Sequence, residues 1–144
     1  MSPRQARPAA PSKEPAVKPA QPGSVNILMV DDHRENLLAL EGILRVPEYN
    51  LVSANSGREA LKQLLDRDFA LILLDVKMPE VDGWEMLRRV QQRHGVGAIP
   101  VVMFSGKVNE QSAAEATALG AQGFVGKPFD PQQLIEQAKQ LLPA

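Results

Sequence analysis

The chain has 144 residues, 44% of them hydrophobic, with 17 acidic against 16 basic side chains and a formal net charge of -1. That size and apolar content suit one globular domain with a real core, while the balanced charge argues against the broad basic surface that electrostatic nucleic-acid binding requires. The absence of cysteine excludes a disulfide framework, a thiolate nucleophile and a Cys-ligated zinc, and with neither a membrane-length apolar run nor a secretory signal a cytoplasmic location is expected.

Positions 1–24 carry Arg4, Arg7, Lys13 and Lys18 against Glu14 alone, with six of the twelve prolines and many alanines. Proline removes backbone donors and breaks helices, and so little apolar mass forms no core, so a disordered basic tail is expected there. The folded domain is expected over 25–144.

From Val25 onward, strands and helices alternate. Residues 25–30 read as an apolar strand ending in Asp31 and Asp32, and a helix over 34–46 follows, with Leu37, Leu40 and Leu44 at helical spacing and Pro47 beyond its end. Residues 50–54 are a short strand. Ser56-Gly57-Arg58-Glu59 reads as a capping box opening a helix whose Ala60, Leu61, Leu64 and Leu65 share one face. Leu71, Ile72, Leu73 and Leu74 form a continuous apolar run, the pattern of a strand covered on both faces, and Asp75 ends it. Pro79 and Asp82-Gly83 then force a loop, with Asp82 expected to cap a helix over 84–94 that buries Trp84, Leu87 and Val90.

A fourth strand is expected over 99–104, ending at Ser105-Gly106, then a helix rich in small residues over 110–119, stopped by Gly120. Residues 123–126 form a short fifth strand. Asp130 as N-cap and Pro131 at the first helical position start a last helix carrying Leu134, Ile135, Ala138, Leu141 and Leu142 on one stripe. Five strands and five helices in strict alternation predict an α/β fold, a doubly wound five-stranded parallel sheet flanked by five helices, with its site at the strands' C-terminal edge.

The residues just after the strands share one chemical theme. The first strand gives Asp31 and Asp32, the third Asp75, the fourth Ser105 and the fifth Lys127. Three carboxylates converging there repel, so that without a cation at least one pKa rises. Magnesium suits such a set of hard oxygen donors. A metal-bound carboxylate beside a hydroxyl and an ammonium suits phosphoryl transfer to the carboxylate itself, with Asp75 attacking in line. Against this stands helix N-capping as the reading of Asp31 and Asp32 alone. His33 and His94 sit elsewhere in the pattern and form no evident triad with a serine, and no Gly-rich phosphate loop is present.

With these residues in place, the sequence resembles the receiver domain of two-component response regulators. The matching motifs are ILMVDD (27–32), LILLDVKMPEVDGWE (71–85), PVVMFSG (100–106) and GAQGFVGKPF (120–129), and the resemblance covers 25–142. It implies the flavodoxin-like receiver fold and makes Asp75 the phosphoacceptor, served by a sensor histidine kinase or a histidine phosphotransfer protein. Asp32, Asp75 and the Lys77 backbone carbonyl would bind Mg²⁺, with Asp31 acting through water, while Lys127 and Ser105 would contact the phosphoryl group. The Lys127-Pro128 peptide would be cis. Ser105 and Phe124 take the switch positions; Ser105 keeps the hydroxyl of a threonine also common there, and Phe124 has no phenol oxygen, so switching there rests on packing.

The expectation is therefore a stand-alone, single-domain response regulator that switches or relays a signal through a downstream protein, as a monomer or a weak phosphorylation-dependent dimer, with no nucleic-acid or membrane partner. It is not an enzyme beyond self-catalysed phosphotransfer and autodephosphorylation. The alternative is a phosphorylation-independent interaction module of the same fold. A metal-dependent phosphohydrolase fits less well, since such families place a second aspartate where Lys77 stands. Lys77 and Lys107 flank the site and are expected to slow loss of the phosphoryl group by shielding it. Trp84 is expected to report Mg²⁺ binding by fluorescence. His33, with Asn36 and Ala39, is expected to line a partner face, and the helix over 110–119, the fifth strand and the last helix a dimerisation or output face.

Overall fold

The computed structural model describes residues 24–106 and 110–142. The expected tail falls almost wholly on residues 1–23, and Lys107 also lies outside the described residues. In chain order the elements are β1 (Val25–Val30), α1 (Arg34–Leu44), β2 (Tyr49–Ala54), α2 (Gly57–Asp66), β3 (Leu71–Asp75), α3 (Gly83–His94), β4 (Val101–Ser105), α4 (Glu110–Ala118), β5 (Gly123–Gly126) and α5 (Pro131–Leu141). All strand pairs are parallel, in the order β2-β1-β3-β4-β5. The doubly wound five-stranded sheet with five helices is thus the observed architecture.

The apolar strands bury both faces, as their unbroken runs predicted. On one face Leu28, Val30, Ile72, Leu74, Val101 and Met103 pack with α2, α3 and α4 through Ala60, Leu64, Met86, Leu87, Val90 and Ala116. On the other, Ile27, Met29, Leu71, Leu73, Val102 and Phe104 pack with α1 and α5 through Leu37, Leu40, Leu44, Leu134 and Ala138. Successive strand residues point to opposite faces, so each strand feeds both cores.

Several boundaries differ from the sequence reading for local reasons. α1 stops at Leu44, with Arg45 extended at its C-cap, short of Val46, which the following Pro47 sterically disfavours in the helical region. β4 starts at Val101, since Pro100 has no N–H to give a ladder; its carbonyl accepts from the Ile72 N–H at 2.9 Å. α3 starts at Gly83, one residue early, with Asp82 accepting from the Glu85 N–H at 2.9 Å as the expected cap. The Ser56 cap holds as well, its hydroxyl accepting from the Glu59 N–H at 3.0 Å. Glu59 reaches back to the Asn55 N–H at 2.8 Å, one residue before the N–H that a capping box uses. Asp130 and Pro131 open α5 as expected. Leu65 is a correction: it is 60% exposed, and the α2 core face is Gly57, Ala60 and Leu64. Trp84 is half-buried, while Met86, not expected there, is fully buried. No helix among the described residues is long and apolar enough to cross a membrane.

Candidate functional site

The strand order puts the ends of β1 and β3 side by side, with β2 diverging to one side and β4 and β5 to the other. That reversal opens a crevice at the carboxyl ends of the strands. Asp31 follows β1 and is completely buried, and Asp75, the last residue of β3, is 1% exposed. Asp32 keeps a quarter of its side chain exposed. The next residue on the β4 register after Phe104, which pairs with Asp75, is Ser105. Ser105 pairs in turn with Gly126 of β5, and its carbonyl accepts from the Lys127 N–H at 3.0 Å. The backbone itself therefore carries Lys127 to the acidic group.

Lys127 Nζ stands 3.0 Å from Asp75 Oδ1 and 3.3 Å from Asp31 Oδ2. It also lies 5.4 Å from the centre of the Phe104 ring, a cation–π distance, and Phe129 packs edge-on against that ring at 5.1 Å. The Lys127-Pro128 bond is cis, as the resemblance implied. Asp31 is fully engaged: Oδ1 accepts from the His33 N–H at 2.8 Å, and Oδ2 from Asn36 Nδ2 at 2.9 Å. The capping reading of Asp31 and Asp32 fails as stated, because the N-cap of α1 is His33 and its side chain makes no capping bond.

Two carboxylate oxygens in the crevice, Asp32 Oδ1 and Asp75 Oδ2, are buried without a hydrogen bond. Burial, the largest influence, raises the Asp75 pKa and the Asp31 charge adds to it, while the Lys127 ammonium and the Lys77 backbone N–H pull it down without cancelling the rise. For Lys127, burial works to lower the pKa, but the Asp75 hydrogen bond and the charges of Asp31 and Asp75 outweigh it and hold the ammonium above its ordinary value. The repulsion read from the sequence is thus present.

The residues fit a hard divalent cation. Ligand atoms of Asp31, Asp32, His33 and Asp75 all lie within 4.8 Å of one another, two of the oxygens are orphaned, and oxygen donors dominate, as Mg²⁺ prefers. His33 is the residue that the sequence reading left outside the metal site. Its Nδ1 lies 3.2 Å from Asp32 Oδ1 and 3.4 Å from Asp31 Oδ1, inside the constellation. Asn36, expected on a partner face, donates its Nδ2 to Asp31 Oδ2; its place one turn into α1 from the Asp31-Asp32 pair was the available signal. Lys77 contributes its backbone N–H to Asp75, with the side chain exposed. Phe124 is half-buried against the core on the α4 side of the sheet, and His94 sits at the far end of α3.

A parallel α/β sheet presenting buried carboxylates and one lysine at its switch point defines a class of phosphoacceptor-like signalling domains. A family model for the response regulator receiver domain matches residues 27–139, and the chain belongs to this family of two-component signalling proteins. It is 38% identical over 107 residues to the transcriptional regulatory protein ZraR of Escherichia coli O157:H7, covering 74% of this chain and 24% of ZraR. It is 34% identical over 116 residues to the transcriptional regulatory protein CpxR of Escherichia coli K12, covering 81% of this chain and 48% of CpxR. The chain thus spans half or less of these curated relatives. Among solved structures, the Vibrio cholerae chemotaxis protein CheY4 superposes with a TM-score of 0.76 at 28% identity, over 83% of this chain and 99% of that one.

Proposed function

We propose that Asp75 accepts a phosphoryl group from the phosphohistidine of a sensor histidine kinase or histidine phosphotransfer protein, in a Mg²⁺-dependent reaction, and that the phosphorylated chain signals through a downstream protein. One observation carries this reading: Asp75 Oδ2 is buried and unpartnered while Oδ1 is held by Lys127 at 3.0 Å. One oxygen is thereby fixed and the other left with its lone pairs available. Asp75 Oδ2 forms the new O–P bond as the P–N bond to the donor imidazole breaks, and that bonding pair returns to the imidazole nitrogen. Lys127 neutralises charge on the transferred oxygens, and Ser105 offers its hydroxyl from the neighbouring strand end. Asp32, Asp75 and the Lys77 carbonyl would hold Mg²⁺, with Asp31 acting through water, and the ion would supply charge neutralisation at the phosphoryl oxygens. Attack of water on phosphorus reverses the modification, so the chemistry is self-catalysed transfer and autodephosphorylation, not turnover of a released substrate.

Ser105 and Phe124 would carry the response, one drawn to the phosphoryl group and the other turned further inward against the core, shifting an existing equilibrium. The transcriptional role named for ZraR and CpxR belongs to proteins of which this chain matches about a quarter and about half; a protein partner is the output proposed here. Incubation with acetyl phosphate, with and without Mg²⁺, followed by intact-mass measurement tests the reading. A gain of one phosphoryl group that needs Mg²⁺ and disappears in Asp75→Asn is expected. No gain in the wild-type chain, or a gain surviving in Asp75→Asn, overturns it in favour of a phosphorylation-independent module.

A further inference from the structure

We propose that His33 is a nitrogen ligand of the acidic site and makes it bind imidazole-accepting divalent cations such as Co²⁺ and Zn²⁺ more tightly than Mg²⁺. The proposal rests on the crevice being a divalent-cation site. Three features carry it. His33 Nδ1 is 3.2 Å from Asp32 Oδ1 and 3.4 Å from Asp31 Oδ1. The four candidate ligand atoms, one each from Asp31, Asp32, His33 and Asp75, fall within 4.8 Å of one another, close to the span of about 4.2 Å across a cation whose ligands stand about 2.1 Å away. Asp75 Oδ2, on a side chain 2% exposed, is buried without a hydrogen-bond partner, and Asp32 Oδ1 is likewise buried without one, its near neighbour being the His33 ring nitrogen itself, so in the unphosphorylated chain neither oxygen is tied up by a group outside the proposed site.

The backbone sets this geometry. The His33 N–H donates to Asp31 Oδ1 at 2.8 Å, which turns the start of α1 back toward the carboxylates. His33 is the N-cap residue, yet its side chain makes no capping bond, so the ring has no helix-terminal duty to draw it away. Its side chain is 62% exposed, leaving an open approach for a hydrated ion. Carboxylate oxygens alone favour Mg²⁺, Ca²⁺ and Mn²⁺, whereas an added imidazole raises affinity for Co²⁺, Zn²⁺ and Ni²⁺ along the general order of divalent stability. Mg²⁺ gains little from the nitrogen and keeps its waters. The identity of residue 33 therefore sets which cation the site selects.

The test is isothermal titration of the full chain with CoCl₂ and, separately, MgCl₂, with the Co²⁺ visible absorption bands as a second readout of nitrogen coordination. The wild-type chain is expected to bind Co²⁺ at least about 10-fold more tightly than Mg²⁺, a general consequence of one imidazole among oxygens. His33→Ala is expected to weaken Co²⁺ at least about 10-fold and to change its spectrum, with Mg²⁺ affinity held within about 2-fold. His33→Gln, which offers an oxygen of similar reach, is expected to behave like His33→Ala toward Co²⁺. An equal loss for both ions, or no loss for Co²⁺, overturns the assignment of His33. Failure of the underlying site gives a different result: Asp32→Asn and Asp75→Asn would then leave both affinities unchanged.

Discussion

The backbone of Gly83 rests directly on the carbonyl of Asp75. A Cβ on Gly83 would overlap the Asp75 carbonyl oxygen and come 2.7 Å from Val76 Cα, while the Gly83 N–H donates to the Val76 carbonyl at 2.8 Å. The start of α3 and the end of β3 are thus locked together by contacts that admit no side chain. Gly83→Ala is expected to cost about 1–3 kcal/mol, the range for forcing extra atoms into a packed place, and to slow phosphorylation by displacing Asp75. Urea unfolding with the rate of mass gain from acetyl phosphate checks both effects; a stable variant with an unchanged rate contradicts the lock.

Lys127 is the cation shared by Asp31 and Asp75. Lys127→Ala is expected to lower the phosphorylation rate by about 10²-fold or more, as removal of one preorganised charge-stabilising donor does. Rates of intact-mass gain at fixed donor and Mg²⁺ measure it. A loss below about 3-fold would place the stabilisation elsewhere.

Asp75→Asn is expected to be more stable than the wild-type chain at neutral pH without divalent ions, by on the order of 1 kcal/mol or about 3–5 °C in the melting midpoint. Burial raises the Asp75 pKa above its ordinary 3.8, so the folded chain holds that proton more tightly than the unfolded one. Stability from this carboxyl is therefore highest when it is protonated and is lost as pH rises from 3.8 through the folded value. The Lys127 shift is also upward, and its contribution is complete below the unfolded value and is lost only as pH rises through the folded one. Across acidic to neutral pH the Asp75 effect governs, and the gap between the two proteins should narrow toward pH 4. Melting curves from pH 4 to pH 7.5 provide the check, and a gap that widens on acidification contradicts the sign.

Trp84 lies in the first turn of α3, next to Gly83, and packs half-buried against the core. It is the one tryptophan of the chain, so emission changes are unambiguous. Saturable change of its fluorescence on adding Mg²⁺ is expected, lost in Asp32→Asn. An unchanged emission across a Mg²⁺ range that calorimetry shows to be saturating would mean that the site and α3 are not coupled.

The Lys77 side chain is exposed, which limits it to screened, long-range influence. Lys77→Ala is expected to speed decay of the acyl phosphate only about 1.5–5-fold, the scale of a single exposed charge interaction. Decay after donor removal, followed by intact mass, reads it. An unchanged lifetime removes Lys77 from the shielding role.

Much of the site was legible because its residues lie at strand ends, and strand ends are marked locally. The run Leu71 to Leu74 ends at Asp75, and the turn after β5 begins at Lys127. Leu65 and His33 depart from the sequence reading for separate reasons, since periodicity reports which face a residue takes and not what covers it. Leu65 matches the apolar spacing of α2, yet α3 does not cover it, and it stays 60% exposed. His33 has no periodic signature, and its ring enters the site because the Asp31 carboxylate binds its N–H.

The sequence by itself determined the alternation of elements, the two-faced burial of the strands, the caps at Ser56, Asp82 and Asp130, and the presence of carboxylates, a hydroxyl and a lysine at strand ends. These follow from local sterics and from apolar patterning, which act within a few residues. Only the tertiary structure decided that β1 lies between β2 and β3, that Lys127 reaches both Asp31 and Asp75, and that Asp32 Oδ1 and Asp75 Oδ2 are left without partners. Strand pairing joins segments tens of residues apart, and the free energy that selects it comes from burying both sheet faces at once. Distance and desolvation, and with them the raised Asp75 pKa, arise from that assembly.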